Sequence, residues 1–132
     1  ARRLVAVIRL LGRQDETAGL KTGFFGASTG GGAALVAAAA LGDLISAVVS
    51  RGGRPDLAGG ALPKVTCPVL LIVGGEDDVV LRLNEEAAAR MNCPKELRLV
   101  PGATHLFEEP GALDQVAEWS AEWFSNYMGG NT

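Results

Sequence analysis

The sequence predicts an α/β fold: an open parallel sheet of about four strands with helices packed against it. Three observations point there. Candidate strands alternate with candidate helices along the chain, the order that right-handed βαβ crossovers require. The run Val69–Val73 reads Val-Leu-Leu-Ile-Val, apolar at every position, as a strand buried on both faces does. Glycine contributes 18 of the 132 residues, about twice its usual share, which fits many tight connections.

The elements follow in order. Leu4, Val5, Ile8 and Leu11 recur at helical spacing, so residues 2–11 are expected to form a helix that Gly12 ends. Residues 22–27 carry Phe24 and Phe25 between glycines and read as a short buried strand. The alanine-rich stretch 30–41 stops at Gly42, the pattern of a helix closed by a C-terminal glycine. Residues 45–50 read as a second strand, followed by the loop Arg51-Gly52-Gly53-Arg54-Pro55-Asp56. After the apolar strand at 69–73 come a helix over 83–91, a fourth strand over 96–100 and a terminal helix over 113–127. The last presents Val116, Trp119, Trp123 and Phe124 on one face. No internal repeat, low-complexity tract or linker divides residues 1–132, whose length suits one domain.

Composition narrows the function classes. The net charge is -3 and no Lys/Arg cluster forms a stripe, which argues against nucleic acid and anionic membranes as partners. The longest apolar run, Ala33–Leu41, falls far short of the ~20 residues a membrane span needs. Residues 1–11 imitate a signal peptide, but Arg9 interrupts the apolar part and no cleavage site follows. The chain starts without Met inside its first expected helix, so it reads as a fragment or a processed product. Cys67 and Cys93 form no CxxC, and a single histidine offers no zinc set. They are expected to be buried thiols in a reducing cytoplasm, and no metal or cofactor is expected.

Three short stretches carry candidate chemistry. Gly26-Ala27-Ser28-Thr29-Gly30 is a Gly-x-Ser-x-Gly placed where a strand ends and a helix begins. In such an elbow the serine takes a strained backbone at about 1–3 kcal/mol. Gly26 and Gly30 would then avoid clashes across the tight turn. Ser28 would stand exposed at the C-terminal end of the sheet as a nucleophile. The Thr29 N–H, at a helix N-terminus, would point at a developing oxyanion. Gly74-Gly75-Glu76-Asp77-Asp78-Val79-Val80 follows the apolar strand and puts a carboxylate at the same end. Of its acids Asp77 is the choice, because the first turn after the strand can hold a short side chain facing the histidine. Gly102-Ala103-Thr104-His105-Leu106-Phe107 holds the only histidine, His105, in the loop after the last strand. The order Ser, Asp, His is that of the α/β-hydrolase fold.

On these residues the sequence resembles the α/β-hydrolase superfamily. It looks closest to the dienelactone-hydrolase-like branch, including modules that occur alone or fused to phosphoribosyltransferase domains. The elbow, the Gly-x-x-Asp-x-x-Val run from Gly74 to Val80, the stretch from Pro101 to Pro110 and the loop from Ser50 to Leu57 carry the likeness over essentially the whole chain. The resemblance implies a truncated α/β-hydrolase fold with Ser28 as nucleophile, Asp77 as orienting acid and His105 as base. Two departures stand out. Dienelactone hydrolases proper use a cysteine nucleophile, so their substrate does not carry over to Ser28. The family also has about four further strands ahead of this region, and with them the loop that gives a second oxyanion donor.

The expected activity is therefore hydrolysis of a small-molecule carboxylic ester or lactone by a cytoplasmic serine hydrolase. Two rivals compete. Loss of one oxyanion donor costs roughly 10²–10³ in rate, so the chain could persist as an impaired hydrolase serving as an oligomeric or binding module. A flavodoxin-like nucleotide-binding domain would use Gly30-Gly31-Gly32 on phosphate, but the chain lacks a P-loop lysine and a Gly-x-Gly-x-x-Gly. Strand 22–27 would leave one edge open, protected only by Lys21. A two-fold homodimer pairing two copies of that strand, with the first helix packed across the seam, is the simplest closure.

Overall fold

The computed structural model describes residues 4–11 and 20–128. Within them the chain forms β1 (Leu4–Leu11), β2 (Leu20–Ala27), α1 (Thr29–Leu41), β3 (Ile45–Arg51), β4 (Val69–Gly74), α2 (Asp78–Arg90), β5 (Lys95–Val100) and α3 (Ala112–Met128). Short 3₁₀ segments at Gly42–Leu44 and Pro55–Lys64 complete the connections. The strands form one sheet in the order β1-β2-β3-β4-β5. β2 to β5 run parallel, and β1 pairs antiparallel with β2.

The sheet is covered on both faces, and β4 shows why its sequence is uniformly apolar. Val69 and Leu71 join Leu35, Val48 and Leu62 in one cluster, under α1 and the 55–64 segment. Leu70 and Ile72 join Val49, Phe107 and the α3 residues Val116, Trp123 and Phe124 in the other. Alternate side chains thus enter opposite cores, each worth roughly 1.5–3 kcal/mol of burial. The expected apolar face of α3 is the one that packs, with Trp119 partly buried at its margin. Cys67 and Cys93 each precede a proline and lead into β4 and β5 at the opposite end of the sheet from Ser28. Both thiols are free and buried. Burial pushes Cys67 up to about 11 and raises Cys93 as well.

Residues 4–11 form a strand rather than the expected helix. The helical spacing of their apolar residues coexists with a period of two: Val5, Val7 and Arg9 are exposed, while Ala6 and Ile8 are half-buried. Val5, Val7 and Ile8 are also β-branched and favour extended backbone. The deciding influence is tertiary. β2 presents a row of N–H and C=O groups, and pairing from Leu4↔Ala27 to Leu11↔Leu20 satisfies them. A helix would leave them open.

The same pairing corrects the geometry expected for the dimer. Strand 22–27 lies inside the sheet between β1 and β3, so it has no free edge for a second copy. The sheet has five strands, one of them antiparallel, where the sequence led to about four parallel ones. Gly12, the expected helix terminator, lies outside the described residues. The remaining elements begin and end close to their expected bounds, except that α2 starts at Asp78 and not at 83.

Candidate active site

Ser28 sits where β2 turns into α1, with φ 52 and ψ -126, a conformation L-residues seldom adopt. The turn is tight enough that a Cβ on Gly26 would overlap the Gly30 carbonyl and lie 2.9 Å from the Gly31 nitrogen. The flanking pair Gly26 and Gly30 therefore meets backbone to backbone. We expect Gly26→Ala to destabilise the fold by about 1–3 kcal/mol through overpacking. It should also displace Ser28, which thermal melting and serine-directed labelling together would detect. Gly31 and Gly32 are buried against Ser50, Gly53 and Arg54, so these two glycines pack the helix down and do not form a phosphate cradle.

Ser28 stands at the N-cap of α1 but makes no capping bond. Its Oγ lies 3.2 Å from His105 Nε2 instead. Asp77 repeats the pattern: it stands at the N-cap of α2 without capping it, and its Oδ2 lies 3.1 Å from His105 Nδ1. Each forgoes a capping bond of the kind usually worth ~1 kcal/mol. Both side chains converge on one imidazole at the C-terminal end of the parallel strands. The Asp77 side chain is 16% exposed and that of His105 40%, so the acid lies below the ring and the ring faces the cleft. Glu76 and Asp78 are exposed and form the solvated rim.

The histidine loop is held from two directions. Phe107 is 1% exposed, packed in the second core, with φ 57 and its N–H donating to the Thr104 carbonyl. Thr104 donates through both N–H and Oγ1 to the Glu109 carboxylate at 3.1 and 2.8 Å. Beneath the loop, a Cβ on Gly74 would overlap the Ala103 carbonyl, so β4 and the loop approach at backbone distance.

Ser28, Thr29, Arg54, Asp77, Val80, His105 and Leu106 line an open cleft of about 520 Å³. Thr29 opens α1, and first-turn N–H groups have no acceptor within their own helix. Arg54 is engaged by Asp56 through two hydrogen bonds at 3.0 and 2.9 Å. That hydrogen bonding holds the Asp56 carboxyl below its ordinary range. The pair's contribution to stability is present above the ordinary carboxylate range and lost as pH falls through the lowered value, and it is small because both groups are partly exposed. Arg54, Val80 and Leu106 were not among the sequence candidates. They lie within the stretches that carry the family likeness, but only the three-dimensional closing of the loops shows that they line the cleft. Among the described residues, no group of three or more His, Cys, Asp or Glu side chains is arranged to hold a metal ion, and no helix is long and apolar enough to cross a membrane.

This sheet, with its serine elbow after β2 and its acid and histidine loops after β4 and β5, is the C-terminal part of an α/β-hydrolase fold. The family model "Dienelactone hydrolase family" matches residues 1–127, and the chain belongs to that family. It is similar to a dienelactone hydrolase from Anabaena variabilis at 59% identity and a TM-score of 0.79, over 80% of this chain and 49% of that one. The esterase domain of a Rhodothermus marinus protein shares the fold at 20% identity and a TM-score of 0.70, over 80% of this chain and 61% of that one. Two strains of Mycobacterium tuberculosis hold relatives 57% identical over 130 residues, both provisionally named phosphoribosyl transferase. The alignment takes in 98% of this chain, which spans only 29% of the length of those relatives.

Proposed function

We propose that this chain carries the catalytic residues of a serine hydrolase acting on a carboxylic ester or lactone. The observation behind the reading is the unbroken series from Ser28 Oγ to His105 Nε2 and from His105 Nδ1 to Asp77 Oδ2. The name of the Anabaena relative supports an ester or lactone as the acyl donor. In this reading His105 donates its Nδ1–H to Asp77, which leaves the Nε2 lone pair to accept the Ser28 hydroxyl proton. Ser28 Oγ attacks the acyl carbon, the Thr29 N–H donates to the developing oxyanion, and His105 returns the proton to the leaving alkoxide. Water, deprotonated by the same Nε2, then attacks the acyl-enzyme and releases Ser28. Val80 and Leu106 give the acyl group an apolar wall.

The transferase name of the mycobacterial relatives belongs to proteins of which this chain spans only 29% of the length, and it supplies no role for Ser28, Asp77 or His105. The test is a short-chain aryl ester with the folded protein, beside labelling by a fluorophosphonate. Turnover of the ester together with fluorophosphonate labelling at Ser28 supports the reading. A folded protein that neither turns over ester nor takes up label rejects it.

A further inference from the structure

Both backbone polar groups of Ser28 are engaged by one loop. Its N–H donates to the Arg51 carbonyl at 3.3 Å, and its carbonyl accepts from the Arg54 N–H at 3.0 Å. The same loop backs the histidine. A Cβ on Gly52 would lie 3.6 Å from His105 Nδ1 and 3.1 Å from the Phe107 ring. Where residues 51–54 sit therefore sets the placement of Ser28 and His105 alike.

The two central residues of that loop are glycines and bring no side chain to anchor it. Gly52 is tied to β4, its N–H donating to the Ile72 carbonyl at 2.7 Å, and the anchor at Gly53 comes from α2. Asn84 is wholly buried, and its Nδ2 donates to the Gly53 carbonyl at 3.1 Å and to the Val80 carbonyl at 2.8 Å. An asparagine in mid-helix is a poor helix former. Burying its amide costs desolvation. Its Oδ1 has no hydrogen-bond partner among the described residues, so the site is not arranged for the amide's own satisfaction. What the amide does accomplish is a link from α2, the helix that begins just after Asp77, to the loop that brackets Ser28.

We infer that Asn84 is a positioning residue: by holding the Gly53 carbonyl it fixes the Arg51–Arg54 loop, and through it the approach of Ser28 to His105. The catalytic consequence rests on the serine-hydrolase reading, whereas the link itself does not.

The test is Asn84→Ser, followed by native-state amide exchange and by turnover of a short aryl ester. A serine hydroxyl can still bond the Val80 carbonyl four residues back, but cannot reach Gly53. The Arg54 and Ser28 amides should exchange about tenfold faster or more, while Leu70–Ile72 keep their protection. The value of kcat should fall about 10–100-fold with KM within about twofold, as misplacement of reacting groups predicts. Unchanged exchange at Arg54 and Ser28 overturns the proposal, and so does a fall in kcat without it. If the variant does not fold, the unsubstituted protein decides. There the Arg54 amide must open together with that of Asn84, and independent, faster opening overturns the proposal. Absence of any turnover by the unsubstituted protein would reject the hydrolase reading and leave the exchange result to judge Asn84.

Discussion

Replacing Ser28 with alanine is expected to abolish turnover, lowering kcat by about 10⁴ or more, because in the proposed mechanism Ser28 forms the acyl-enzyme. Fluorophosphonate labelling should vanish with it. The fold should survive. Ser28 makes no capping bond to lose, and among the described residues its hydroxyl hydrogen-bonds only to the half-exposed His105. A melting curve close to that of the unsubstituted protein would separate loss of the nucleophile from loss of structure. Labelling that persists in Ser28→Ala would mean that another residue reacts.

The second large effect is expected at Asp77. With asparagine there, the amide can donate to His105 Nδ1, which would then accept. The imidazole proton would move to Nε2, and no lone pair would face Ser28. Substitution of the equivalent acid in serine-protease triads drops kcat by about 10⁴ through this wrong tautomer, and Asp77→Asn should lose a comparable factor. Stability should change little, since Asp and Asn serve a helix N-cap about equally and Asp77 caps nothing. Glu76→Gln and Asp78→Asn should leave kcat within a few-fold, because both side chains are solvated. If Asp78→Asn proves the damaging change, the acid has been assigned to the wrong residue.

The convergence of Ser28, Asp77 and His105 was legible in the sequence because each lies in a local motif, and a parallel sheet brings the C-terminal ends of its strands together. Strand β4 was legible for a related reason: burial on both faces leaves the continuous apolar run Val69–Val73. Residues 4–11 were not, since their apolar spacing suits a helix as well as a strand, and the choice was made by the unpaired edge of β2. The start of α2 was hidden because Val79 and Val80 are β-branched and do not announce a helix. Asn84 left one faint sign, a polar residue of low helix propensity in a helical stretch. Its partner Gly53 lies 31 residues away, beyond any local pattern. The strained φ of Phe107 left no sign at all, since a phenylalanine there is set by the core it fills.

The two buried cysteines give the molecule its own clock. Thiol reagents attack the thiolate. Burial withholds both the access and the deprotonation that Cys67 and Cys93 would need. Their modification must wait for the foot of β4 and β5 to come apart, so its rate times the opening of the sheet at the end farthest from the serine. One sample can then be read at both ends. Serine silent and thiols silent means a change confined to the cleft; serine silent and thiols reactive means the sheet itself has opened.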